Sequence, residues 1–180
     1  MRATLIIVRT LVWAALIAIS VPFFWQLTTG GTTLVVTGTS MQPTYELGDV
    51  VFLDKVEEPG PDFWNVGDIV AVSFSDSAPG ENRYIHRVES ILEDGRAVLK
   101  GDGNPEADVS PVTTSQVVGV PLFALHQPAA AVYEFTQSLL GRITIFGAGI
   151  MILLLLEAVS HRTRLTEQLE SDEPHRSPRP

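Results

Sequence analysis

The sequence predicts a mainly β, compact, barrel-like domain held between two transmembrane helices, and three observations predict it. Two long apolar runs lie near the two ends of the 180-residue chain. Between them come six short runs rich in Val, Ile, Phe and Tyr. Gly-, Pro- and Asp-containing turns separate those runs, which is how a small all-β domain is punctuated.

The first apolar run, LIIVRTLVWAALIAISVPFFW at residues 5–25, carries Arg9 as its one charge. About 20 apolar residues cross a bilayer, and a long arginine stem lets its charge reach the head groups. Phe23, Phe24 and Trp25 then fall where an interfacial aromatic belt belongs. A cleavable secretory signal is the competing reading, but no small-x-small site precedes the bulky Pro22–Trp25 stretch, so residues 1–25 read as a retained anchor. The second run, ITIFGAGIMILLLLEAV at 143–159, reaches spanning length when Leu139 and Leu140 contribute and Arg142 snorkels. A buried core helix is its competing reading. SHRTR follows, and basic residues favour the cytoplasmic side. The expectation is a multi-pass protein of the cell membrane with residues 26–141 outside, a helix at 142–160, and both termini in the cytoplasm. Residues 161–180, polar and Pro-rich toward their end, read as a disordered cytoplasmic tail.

The expected strands are TTLVVT at 32–37, DVVFLDKV at 49–56, DIVAVSFS at 68–75, RYIHRVESI at 83–91, RAVLK at 96–100 and QVVGVPLF at 116–123. Turns are expected around Gly48, 59–61, Gly67, 78–80 and 101–103, and EDG at 93–95 reads as a hairpin turn with Gly95 at positive φ. Phe63 and Trp64 either dip into the membrane interface or tuck onto the domain. Residues 129–140 are expected to lead helically into the second span.

Charge and cysteine content exclude several functions. The net charge is −9, and residues 26–141 carry sixteen acidic against five basic side chains, so this segment lacks the basic face that nucleic acid needs. Cysteine is absent, which removes disulfides, thiolate metal sites and a cysteine nucleophile. No Gly-rich phosphate loop and no paired histidine motif occurs, so neither cofactor nor metal is expected.

The stretch TGTSMQPT, residues 37–44, places small residues between two apolar runs, as though Ser40 had to be reachable. A serine hydroxyl is a poor nucleophile until a neighbouring base takes its proton, and an imidazole, ordinarily titrating near 6.5, suits that task. Of four histidines, His161 and His175 fall on the cytoplasmic side of the expected topology, and His126 reads as a bland polar residue near Pro128. His86 is left. On an alternating strand it shares a face with Tyr84 and Val88, while Ile85 and Arg87 point the other way. A histidine base wants a carboxylate to fix its tautomer, and LKGDGNPEADVSPV at 99–112 offers Asp102, Glu106 and Asp108.

In order along the chain, TGTSMQPTYELGDVV, YIHRV, KGDGNPEAD and VVGVPLF resemble the successive motifs of type I signal peptidases. The resemblance is to the endoplasmic-reticulum and archaeal branch, also found in some Gram-positive bacteria, and covers about residues 35–120. It implies a membrane-bound serine endopeptidase that cleaves signal peptides, with Ser40 as acylating nucleophile and His86 as general base. The common bacterial branch has lysine at that base position; Lys100, within KGD, matches a different motif. Asp108 and Asp102 fill the two acid positions of the pattern, Asp108 expected as partner of His86 and Asp102 as loop organiser, with the reverse as the alternative. One position departs from the pattern. Gly38 stands where a hydroxyl usually lies two residues before the nucleophile, which leaves the second oxyanion donor open between Thr37 and Thr39. The implied partners are signal-peptide-bearing preproteins, the lipid bilayer and, transiently, the secretion channel. Two alternatives stand beside this expectation: a non-catalytic, membrane-anchored β module that scaffolds envelope proteins, and a peptidase dedicated to one surface-protein client.

Overall fold

Each of the six apolar runs forms a strand, rich in β-branched residues, with β2 and β3 buried on both faces and the intervening glycines allowing tight reversals. The computed structural model describes residues 2–57, 59–60, 62–74 and 82–171, so the turn expected at 78–80 and the last nine residues of the tail lie outside the described residues. In chain order the elements are α1 (Arg2–Thr29), β1 (Thr32–Val35), β2 (Val50–Asp54), β3 (Ile69–Ser73), β4 (Arg83–Ile91), β5 (Ala97–Lys100), β6 (Val117–Leu125), α2 (Ala129–Gln137) and α3 (Leu139–Ser171). They fall into two compact units, residues 22–135 and residues 1–21 with 136–180.

Within residues 22–135 the strands form one antiparallel sheet in the order β1-β2-β6-β3-β4-β5. The expected barrel does not form: β1 and β5 are edges, and neither pairs with the other. Closure needs the two end strands to meet, and both are only four residues long. The β5 edge is instead covered locally by a bridge between Ala97 and Val112, a common way to blunt an exposed edge. Strand β6 joins the two halves by pairing with β2 and with β3. Gly119 sits at that junction, where a Cβ would stand 2.4 Å from the carbonyl oxygen of Asp54, so a side chain has no room.

Alternation along β3 and β4 feeds two hydrophobic clusters. Ala71 and Ile85 join Leu34, Val36, Met41, Tyr45, Val51 and Leu53. Val70, Val72 and Val88 join Trp64, Ala97, Leu99 and Val112. Trp64 is therefore tucked onto the domain, with its Nε1 donating to the Gly95 carbonyl at 3.1 Å, which decides between the two readings of Phe63 and Trp64. Gly95 has φ +83°, and Leu92 N donates to Arg96 O at 2.8 Å, closing the expected hairpin.

The other unit is helical. The helices are apolar over 3–29 and 139–166, 27 and 28 residues, or about 40 Å each at 1.5 Å per residue, long enough to cross about 30 Å of hydrocarbon. Ile143, Ile150, Met151, Leu154 and Leu155 are all exposed, unlike the side chains of a buried core helix. The helix also runs on to Ser171, past the expected end near residue 160, so residues 161–171 of the tail expected to be disordered are helical. Arg, Leu, Glu and Gln in that stretch are good helix formers, and their polarity does not break the helix.

Candidate active site

Ser40 lies in a turn fastened from both sides. Met41 is almost fully buried and Tyr45 is buried four residues on, so both side chains pin the turn into the cluster beneath it. Gln42 N donates to Thr39 O at 3.1 Å, and Tyr45 N donates to Met41 O at 3.0 Å. The adjacency of Ser40 and Met41 has a mechanical meaning: one side chain anchors the bend while its neighbour faces the cleft.

The Gly-Asp-Gly loop after β5 holds this turn from the opposite side. Gly103 N donates to the Ser40 carbonyl at 2.7 Å. At Gly101 a Cβ would meet that same carbonyl oxygen at 2.4 Å and His86 Nε2 at 2.9 Å. The glycine is required by close approach. Gly101→Ala is expected to destabilise the domain by about 1–3 kcal/mol through overpacking. Displacement of Ser40 by roughly 1 Å should also slow its labelling by a serine-directed phosphonate about 100-fold. Thermal unfolding and labelling rate check the two parts separately.

Ser40, His86 and Asp108 meet in a hydrogen-bonded chain. The Ser40 Oγ lies 3.0 Å from His86 Nε2, and His86 Nδ1 lies 2.8 Å from Asp108 Oδ2. The three come from the turn after β1, from β4 and from the loop after β5. Asp108 is held in place by its own amide, which donates to Leu99 O at 2.8 Å. With a proton on Nδ1 donated to the carboxylate, Nε2 is left free to accept from the serine hydroxyl. The histidine is buried and Tyr84 packs edge-on against it, ring centroids 5.0 Å apart. Burial, with a smaller contribution from the nearby Asp108 charge, pushes the Tyr84 phenol up to about 12, so it stays neutral as a wall of the site. Ser40, Phe74, Tyr84, His86, Asp108 and Gln116 line a cleft of about 690 Å³. Among the described residues, the Ser40 amide has no hydrogen-bond acceptor, leaving a donor beside the hydroxyl.

Asp102 takes a different place. Both its oxygens face Arg87, whose Nε and Nη2 donate at 2.8 and 2.7 Å, and Thr44 Oγ1 donates to it as well. Arg87 Nη1 also donates to Gly67 O at 2.7 Å. The loop thus grips β4 at two adjacent residues, Asp108 at His86 and Asp102 at Arg87. The bond to the Arg87 guanidinium holds the Asp102 carboxyl below the usual carboxylate range. A depressed folded value means that the pair's contribution is complete above about pH 4 and is lost as pH falls through the lower folded value. Asp102→Asn is expected to cost about 1–3 kcal/mol at pH 7, moderated by solvent around the partly exposed Arg87. The stability gap from wild type should narrow in acid, as denaturant titrations at pH 7 and pH 3 would show.

Sequence reasoning did not find Arg87, Thr44 or Gly101 as parts of this site. The doubled glycine around Asp102 was the available signal for close approach. His126, read as bland, pairs with buried Asp49: its Nδ1 lies 2.6 Å from Asp49 Oδ2, which also accepts from Glu46 N at 2.9 Å. Asp49 belongs to the turn that holds the chain just after β1, four residues before Ser40, since Val36 N donates to Asp49 O. Glu106 lines the cleft without an ion pair or side-chain hydrogen bond among the described residues. Neither a scan against protein-family models nor a search of curated proteins finds a match to the chain.

Proposed function

We propose that this protein is a membrane-anchored serine endopeptidase that removes signal peptides from exported preproteins. The observation that carries the reading is the Ser40–His86–Asp108 chain, with 3.0 and 2.8 Å links, at the edge of an open cleft. The motif resemblance and the two apolar helices supply the substrate class and the anchoring.

In this mechanism Ser40 Oγ attacks the scissile carbonyl while His86 Nε2 takes its proton. The C–N bond then breaks, and His86 returns the proton to the departing amine. Water, deprotonated by the same imidazole, hydrolyses the Ser40 ester and frees the carboxylate product. The free Ser40 amide supplies one oxyanion donor, and Thr37 or Thr39 supplies the second. An extended substrate has a candidate edge on β1, whose one strand partner is β2. Arginines 162 and 164 after the second span support a topology with both termini in the cytoplasm and the sheet outside, since basic residues favour the cytoplasmic side. A shared bilayer raises the effective concentration of enzyme and signal peptide for each other.

The test is incubation of the full chain in lipid–detergent micelles with a signal-bearing preprotein, followed by N-terminal sequencing of the product. A single cut after a small residue at the end of the signal segment supports the reading. Intact preprotein, under conditions where Ser40 still reacts with a phosphonate, overturns the substrate assignment.

A further inference from the structure

The helical unit has chemistry that the proposed peptidase mechanism does not use. Gly149 lets α3 approach α1 closely, since a Cβ there would stand 3.0 Å from Leu16 Cδ2. Toward the start of α1 the two helices leave a groove of about 360 Å³, lined by Leu5, Ile6, Arg9, Leu156 and Arg164 with two hydroxyl residues. Arg9 Nη1 lies 3.4 Å from Glu157 Oε2, and both side chains are exposed. Arg164 has no ion-pair or hydrogen-bond partner among the described residues. Among the described residues Glu157 therefore pairs with Arg9, and the Arg164 guanidinium in the groove lining is left without a carboxylate.

The rest of the lining narrows the ligand. Ser160 and Thr163 already donate their hydroxyl protons to the Leu156 and Val159 carbonyls, at 2.8 and 3.0 Å, so anion recognition falls to the arginines. Leu5, Ile6 and Leu156 make the remaining wall apolar. A charged floor beside an aliphatic wall fits an amphiphile better than a free anion. The position agrees: Arg9 is about 9 Å along the helix from the start of the first apolar window, and Arg164 is near the end of the second. In helices that cross a bilayer, that depth is where phosphate groups and the first acyl carbons lie.

We propose that this groove binds the phosphate of an anionic phospholipid, with Arg9 and Arg164 on the phosphate oxygens and Leu5, Ile6 and Leu156 along the acyl chain. The inference rests on the membrane-anchored part of the proposed function and is independent of the peptidase chemistry.

Full-length protein in mixed micelles is titrated with phosphatidylglycerol or phosphatidylcholine, and the lipid retained per chain is read by native mass spectrometry. Wild type is expected to retain phosphatidylglycerol preferentially. Arg164→Gln, and separately Arg9→Gln, should weaken retention about fivefold, the effect of removing one well-placed cation. Arg162→Gln removes the same charge outside the groove and should leave retention unchanged. An equal loss in Arg162→Gln overturns the groove in favour of a diffuse basic end. Competition by millimolar inorganic phosphate as effective as the lipid's own binding overturns the lipid assignment. Equal retention of both lipids by a chain that resists alkaline extraction from vesicles overturns this inference alone, whereas a chain washed out of the vesicles overturns the membrane anchoring as well.

Discussion

Ser40→Ala is expected to reduce preprotein cleavage by roughly 10⁴-fold or more, the scale seen when one member of a cooperating catalytic group is removed. The fold should survive. The Ser40 hydroxyl makes one side-chain hydrogen bond, to a histidine that Asp108 already holds, while Met41 and the Gly103 amide keep the turn in place. The loss of stability should stay within about 1 kcal/mol, the usual net worth of one hydrogen bond. Cleavage assays and thermal unfolding on the same preparation separate the two effects. Turnover comparable to wild type would remove Ser40 from the mechanism.

His86→Ala should fall as far, and His86→Lys should not recover it. A lysine base must be kept neutral by a dry, apolar pocket. Here an ammonium reaching the same place would meet Asp108, which lies 2.8 Å from the ring it replaces, and the carboxylate would hold it charged. Only an imidazole can use this acid productively, donating to it from one nitrogen and accepting from serine with the other. Cleavage assays on both variants check this, and substantial activity in His86→Lys would show that the pocket suits an amine after all.

Much of this arrangement was legible in the chain. The six strands could be read because their runs are short, rich in Val, Ile, Phe and Tyr, and separated by Gly, Pro or Asp turns, signals that act over a few residues. Barrel closure could not, since it depends on whether β1 and β5, more than 60 residues apart, meet at their edges. The order Ser40, His86, Asp108 was visible as motifs, and strand alternation set His86 and Arg87 on opposite faces. What alternation cannot give is which acid each one meets. That depends on the path of the 101–108 loop, which the close approach of Gly101 to Ser40 draws against the turn. The pairing of His126 with Asp49 was hidden for a similar reason, being a contact across 77 residues with no local pattern to announce it.

The central claim is that His86 activates the Ser40 hydroxyl, and covalent labelling reads that without any knowledge of the natural substrate. The full-length protein is treated with a serine-directed phosphonate, and the modified residue and its rate are determined by peptide mapping. The account predicts a single adduct on Ser40, formed at least about 100-fold more slowly in His86→Ala, in keeping with the usual contribution of a general base. An adduct on another serine, or an unchanged rate at Ser40 in His86→Ala, would contradict it.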